Sequence, residues 1–462
     1  MKNTKREFSL YSFYDHTNIQ KHLEAMAAKG WILDKIGNFG WVYRRTEPKS
    51  LHFAVTYFPN ASEFDAAPGE GQQTFQDYCA EAGWQPVARW AQMQIFCNEA
   101  EDPVSIETDA AVQVNTIHSA MKRNYLIGQA VMAALGLLQL GMNLSDLFKH
   151  PTDTLANPSF FFLVFVWTLV IVQCGVEAFS YLLWYRRAKR AAELNGSFTP
   201  TRGHRGFQAV CLAVLIPCVF LWFFSLSGKM AVVGIGCLLL TLLLQLTVNG
   251  IKQLMKRTGC STAVNRAVTL ISSFVLAFAL IGGMTYCTVR LVRDRPSQDT
   301  YTYQGGEYDI HPIALPLTLE NLTGESYEHV SRNLIETQTY FLTRQSCREV
   351  VGQPQKQITL TYTVTDIRRP WLRDTVIRDY LENTDLVGRI GTHTITFHRS
   401  WEPEDPTAWG ADAAYRRYRG SDHAPSSDFL LLYGDRIVEF EPNRELTAAQ
   451  RAIVGEALRP GA

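Results

Sequence analysis

The stretch LVIVQCGVEAFSYLLWYRRAKR, Leu169 to Arg190, sets one carboxylate, Glu177, inside an apolar run that closes on a cluster of basic residues. A carboxyl group held in hydrocarbon is costly unless it finds a donor, a counter-charge or water, so an intramembrane acid is a functional candidate by default. The chemistry open to it is proton exchange or recognition of a ligand. The plainer alternative is a polar residue that glues helices together, either neutral or paired with Arg266 or a snorkelling lysine. Gln129, Gln245, Thr269, Ser272 and Ser273 can be assigned similar depth in other apolar runs and form with Glu177 a candidate intramembrane polar layer.

Elsewhere the chemistry-bearing residues are dispersed. His393 and His398 lie in THTITFH, and five residues apart on a strand puts them on opposite faces, where they cannot easily share a metal. His311 and His423 read as loop or surface residues, and Asp374, Asp379, Glu382, Glu439 and Glu441 have the spacing of solvated faces. The nine cysteines contain no CxxC pair, which argues against a zinc site and a disulfide framework. No nucleophile elbow, phosphate loop, zincin or dinucleotide signature occurs. No catalytic, cofactor-binding or metal-ligating residue is therefore assigned, no cofactor is expected, and a non-enzymatic protein is the expectation.

The elements that must position Glu177 are membrane helices, each needing ~20 mostly apolar residues. Five stretches qualify: Tyr125 to Leu144, Phe160 to Trp184, Phe207 to Leu226, Met230 to Val248 and Ala267 to Val289. With 44 basic and 44 acidic residues in 462, the chain has no bias toward nucleic acid, but its charges are segregated away from 124–290. Basic residues gather in the loops after the second helix (Arg186, Arg187, Lys189, Arg190, Arg202, Arg205) and the fourth (Lys252, Lys256, Arg257, Arg266). The positive-inside rule then holds those loops and the N-terminus in the cytoplasm, and an odd number of crossings puts 295–462 outside. Anionic lipid headgroups are a natural partner for the same cations. On this orientation Glu177 lies roughly 10 Å below the inner boundary at Trp184, counting 1.5 Å per residue.

Residues 1–105 read as an α+β domain with an internal repeat. AAKGWILDKIGNFGWVYRR, from Ala27, aligns without a gap on AEAGWQPVARWAQMQIFCN, from Ala80. Each has a helix end, a Gly-Trp pair (Gly30-Trp31, Gly83-Trp84) and two strands, and a strand precedes each helix, which is the order of a ferredoxin-like split βαβ sandwich. Thr17 with Gln20 makes a capping box for the first helix. Trp31, Trp41 and Trp84 either line a ligand or partner surface or, more in keeping with tryptophan burial, fill the core. Residues 106–123 look like an amphipathic connector into the first membrane helix.

REFSLYSFYDHTNIQKHLEAMAAKGW, LHFAVTYFPNASEFDAAPGEGQQTFQDYCAEAGW and AQMQIFCNEAEDPVSIETD together resemble the N-terminal module of the bacterial family called domain of unknown function 2812 (DUF2812). The similarity is dense over the first part of the chain, weaker through the helices, and returns in DFLLLYGDRIVEFE. The resemblance implies a membrane protein without an assigned activity, often encoded beside PadR-like transcriptional regulators, and a role in envelope sensing or stress; it transfers no catalytic residue.

Residues 295–462 read as a second α+β domain. TLTYTVTDI alternates like a strand, WLRDTVIRDYLENT has helical period, DFLLLYGDRIVEFE is a hairpin around Gly434-Asp435, and Thr447 with Gln450 caps a last helix. The sequence thus describes a multi-pass cell-membrane protein with a five-helix transmembrane bundle between two α+β domains. The leading functional expectation is a sensor or adaptor that couples an external domain to a cytoplasmic partner. Its alternatives are a transporter or lipid-handling protein built on the polar layer, and an envelope enzyme with an unrecognised site.

Overall fold

The computed structural model describes residues 3–37, 40–225, 228–293, 299–303, 306–310, 313–327, 330–352, 357–382, 386–390, 393–397, 399–419 and 423–461. His311 and His398 lie outside them. The chain divides into two compact units, residues 1–140 with 165–290, and 141–164 with 291–462.

The first unit opens with β1 (Thr4–Glu7), α1 (His16–Ala27), β2 (Trp31–Gly37), β3 (Gly40–Arg45), β4 (His52–Tyr57), α2 (Glu70–Glu81), β5 (Gln85–Trp90) and β6 (Met93–Asn98). These form two antiparallel three-stranded sheets of identical topology, β1-β3-β2 and β4-β6-β5, each a βαββ unit whose first strand pairs with its third. The repeat extends to fine detail. The edge strands β2 and β5 carry a register shift at the equivalent place, between Leu33 and Lys35 and between Pro86 and Ala88. Gly30 and Gly83 both adopt positive φ, +77° and +83°, to end their helices.

α1 buries Ile19, Leu23, Met26 and Ala27 at helical spacing, and a fully buried Leu contributes about 1.5–3 kcal/mol relative to exposure. Its cap differs from the expected box: Asp15 is the N-cap without a side-chain bond, and the Thr17 hydroxyl is used elsewhere. The expected strand REFSLYSF is short, leaving Phe8 to Asp15 outside regular structure apart from a turn. Trp41 and Trp84 are core residues, and the Trp84 indole donates to the Val104 carbonyl at 2.8 Å. Trp31 is partly exposed with the Arg45 guanidinium over its ring.

The expected connector is α3 (Ala110–Ala120), N-capped by Asp109, whose carboxylate accepts from the Ala111 and Val112 amides. A single π turn, Met121–Tyr125, joins it to α4 (Leu126–Lys149). Then follow α5 (Pro151–Leu155), α6 (Pro158–Asn195), α7 (Arg205–Ser225), α8 (Gly228–Arg257) and α9 (Thr262–Arg293). Among the described residues five helical segments are long and apolar enough to cross a membrane: Ala110–Lys149, Pro158–Asn195, Arg205–Phe223, Val232–Arg257 and Thr262–Arg290. Their outward side chains, such as Leu138, Phe220, Leu239 and Phe278, are exposed and apolar, as a lipid-facing surface requires.

One correction concerns α6. The sequence puts a loop directly after the apolar run that ends at Trp184, but α6 runs on to Asn195, and Tyr181, Trp184, Ala188 and Ala192 are buried in the same core as α1, α3 and the strands. Arg186, Arg187, Lys189 and Arg190 therefore lie on the exposed face of a helix rather than in a loop.

The second unit is built on a seven-stranded antiparallel sheet, in the order Arg399–Glu404, Ala413–Arg419, Ala424–Tyr433, Arg436–Pro442, Ile358–Ile367, Leu342–Val351, Ser331–Gln338. Hairpins 299–303/306–310 and 386–390/393–397 stand apart from it. Gly434 turns the predicted hairpin at φ +59°, and the Thr447–Gln450 capping box starts the last helix, Ala448–Leu458. One face packs Cys347, Tyr362, Phe429, Phe440 and Trp409, while the other receives Leu155 and Ala156 and the helix Arg373–Glu382. The segment around α5 is thus part of this unit. The Thr152 amide donates to Asp379 at 2.9 Å, Thr339 donates to the Leu155 carbonyl at 2.8 Å, and Arg344 pairs with Asp153. Asp379 is a tethering residue, which corrects its reading as part of a solvated face.

Candidate functional site

Glu177 is 3 % exposed and sits on the face of α6 turned toward the N-terminal strands and helices. Its carboxylate accepts from the Ser12 hydroxyl at 2.8 Å, the Tyr125 hydroxyl at 2.5 Å and the Gln208 amide. Gln208 reaches the Ser12 oxygen as well, at 3.2 Å. These donors come from the segment before α1, from the π turn that opens α4, and from the first turn of α7. Three donors and no acceptor suit an acceptor-only carboxylate, and each such bond to a charged group is worth about 1.5–3 kcal/mol.

Two expectations are corrected here. Among the described residues no cation pairs with Glu177; the Arg266 guanidinium instead lies 5.7 Å from the centre of the Phe64 ring. The polar layer also does not assemble as one group. Gln245 is exposed, Thr269 donates to Asn265 on its own helix at 3.2 Å, and Ser272 and Ser273 both donate to the Thr269 carbonyl. Only Gln129 joins Glu177, on the wall of a cavity of about 670 Å³. That wall also includes Ser12, Gln92, Tyr125, Gln173, Gln208 and Arg266. Gln92 Oε1 and Gln173 Oε1, from two of these residues, are buried without a hydrogen-bond partner.

Burial, with the neighbouring Glu177 carboxylate next, pushes the Tyr14 phenol well above its usual range. Tyr14 stacks edge-on with Tyr125 and Tyr181 at 6.0 and 5.2 Å, in an aromatic cluster that continues to Trp184. His118 bonds the Tyr181 hydroxyl at 2.9 Å and stacks on Tyr185 at 3.9 Å.

Two clamps hold this junction. At one, Thr201, in the loop after α6, donates through its hydroxyl to Asp15 at 2.7 Å, while Thr17 and Thr201 exchange amide-to-hydroxyl bonds at 3.2 and 3.1 Å. Trp184 donates to the Thr199 carbonyl of the same loop. At the other, the segment Pro59–Asp65 is gripped by Arg123, which donates to Pro59 and Asn60, by Lys252 paired with Glu63 at 3.3 Å, by Thr262 on Asp65 at 2.6 Å, and by Asn265 on the Phe64 carbonyl at 2.9 Å. Both clamps join the N-terminal domain to the ends of apolar helices.

Residues 15–128 match the family described as Protein of unknown function (DUF2812). The DUF2812 region thus runs from Asp15 to Gly128 and stops just past Tyr125. It covers α1 through β6, α3 and the π turn, while β1, Ser12, Glu177 and Gln208 fall outside it. No curated protein and no solved structure matches the chain.

In the second unit, Glu439 and Glu441 are not a solvated face. Arg417 is 6 % exposed, bonds Glu441 at 2.6 Å and Asp428 at 3.3 Å, and also pairs with Glu439, while its guanidinium lies 4.3 Å from the centre of the Trp401 ring. Burial, with Glu441 adding to it, raises the Glu439 carboxyl, and Arg417 opposes the shift. Among the described residues no group of His, Cys, Asp or Glu has the geometry of a metal centre. His423 stacks on Tyr418 at 4.8 Å and contacts Glu402 at 2.5 Å.

Sequence reasoning missed Ser12, Tyr125 and Gln208. One signal was available, since Gln173 and Glu177 are four residues apart on one helix face, as are Tyr125 and Gln129. Ser12 carries no periodic signature at all.

Proposed function

We propose that the protein is a non-enzymatic membrane sensor or adaptor in which the DUF2812 region presents a partner-binding surface whose position is set by the membrane helices. The observation that carries this reading is the Glu177 node, where one buried carboxylate joins the segment before α1 to α4, α6 and α7. A rotation or shift of α6 must break or carry these bonds. Each βαββ unit supplies a split βαβ module of the ferredoxin-like kind, an arrangement that hosts regulators and ligand sensors among other functions. On the charge rule this domain is cytoplasmic and the second unit extracytoplasmic, and the partner is a cytoplasmic protein such as a PadR-like regulator.

The cavity beside Glu177 favours a second reading, a transporter or lipid-handling protein, because it is roomy and lined by several polar side chains. Cross-linking separates the two. A photo-reactive group at the exposed Asp77 of full-length protein in native membranes captures a cytoplasmic protein on the adaptor reading, with altered yield in Glu177→Gln. Capture of no protein, together with substrate-dependent protection of the cavity, favours transport.

A further inference from the structure

We infer that a basic groove beside the last turns of α8 binds a phosphate-bearing anion, the headgroup of an anionic phospholipid. The groove is a cavity of about 290 Å³, separate in its basic wall from the Glu177 network, and Arg89 on β5 faces Lys252 and Lys256 on α8 across it. The inference does not rest on the adaptor reading.

The charges are arranged at a cost that an anion would remove. Lys252 and Lys256 are one turn apart on one helix face, where like charges repel, and Arg89 adds a further repulsive neighbour to Lys256. Only Lys252 has an ion-pair partner among the described residues, Glu63. Arg89 reaches no carboxylate, only the Ala66 carbonyl at 3.4 Å, and the Asp65 oxygens are engaged by Thr262 and the Ser62 amide. Glu63 on the wall and Asp65 nearby offset part of the charge on Lys252 and Lys256, but Arg89 has no carboxylate, and the concave surface keeps an excess of cations that suits an anion.

The position of the groove selects the headgroup. Lys252 and Lys256 close the apolar segment Val232–Arg257, so they stand where hydrocarbon gives way to headgroups. Phe8 and Trp90, both on the groove wall, are 64 and 40 % exposed. Tryptophan favours the membrane interface, Phe8 adds an apolar surface beside it, and basic pockets at such ends bind anionic headgroups. A free phosphate would satisfy the cations but leave this apolar wall in water.

Native mass spectrometry of the full chain, released from detergent after exchange into phosphatidylglycerol or phosphatidylcholine, tests the site. Wild type should retain phosphatidylglycerol in preference to phosphatidylcholine. Lys252→Gln with Lys256→Gln should weaken retention about tenfold, because each basic group near a membrane surface contributes severalfold. Arg89→Gln should weaken it by a smaller factor, and the exposed Arg187→Gln should leave it unchanged. Inorganic phosphate is the second probe: failure to displace phosphatidylglycerol confirms the headgroup, and ready displacement makes the free anion the occupant. Equal retention of the two lipids by wild type, or unchanged retention in both Lys252→Gln/Lys256→Gln and Arg89→Gln, would overturn the site. Should the double variant fail to fold, Arg89→Gln decides alone.

Discussion

Glu177 shows how far a side chain's meaning depends on what the chain brings to it. Its spacing from the basic cluster on α6 gave a depth, but three hydrogen bonds, one from a serine in an irregular segment, make it a junction residue. Glu177→Gln replaces an acceptor oxygen by a donor amid donors and should cost about 1–3 kcal/mol, read as a lower thermal midpoint of full-length protein in detergent. Glu107 tests electrostatics at the same scale. Burial raises its carboxyl from 4.5 to about 6, against a bond from Gln113. A carboxyl whose folded value is raised favours folding below pH 4.5, and this contribution is lost as pH climbs through about 6, amounting to about 2 kcal/mol. Glu107→Gln should therefore gain stability relative to wild type at pH 7.5 and lose that advantage near pH 4 in denaturant titrations; a pH-independent difference would contradict the assignment.

Among elements, the helix-strand-strand repeat was legible because glycine and tryptophan mark where a helix must stop and a strand begin. Its two copies are not equally tolerant. A Cβ on Gly30 would stand 2.8 Å from the Thr46 carbonyl oxygen, whereas on Gly83 it would meet the Asn98 side chain at 3.1 Å. Gly30→Ala should thus destabilise more than Gly83→Ala, both by about 1 kcal/mol or more for the left-handed backbone, measured by chemical denaturation. The clamps were illegible: Thr17 looks like a capping residue, and only the fold shows that its hydroxyl receives the Thr201 amide. Thr201→Ala removes a bond to buried Asp15 and should speed proteolysis within 196–204 while leaving the second unit intact.

For the whole molecule, hydropathy located the five apolar helices because lipid demands long uncharged runs, and strand patterning located three of the seven strands of the second unit's sheet. What pattern could not supply was membership: residues 141–164 belong with 291–462, through contacts made by Thr152, Asp153 and Leu155. Arg417 likewise gathers carboxylates from neighbouring strands that look solvated one at a time. Orientation is testable by cysteine labelling, although Cys347 is fully buried and unsuited to it. Cysteines introduced at exposed Asp77 and Glu456 should differ in intact cells, with Glu456→Cys labelled by an impermeant maleimide and Asp77→Cys protected. The opposite pattern would reverse the membrane topology.

The central claim is that Glu177 links the membrane helices to the N-terminal domain. Hydrogen–deuterium exchange of full-length protein in nanodiscs, comparing wild type with Glu177→Gln, tests it most directly. Faster exchange is predicted in Ser12–Asn18 and in 196–208, with the sheet of the second unit unchanged. Faster exchange confined to α6, with both of those segments as protected as in wild type, would contradict the claim.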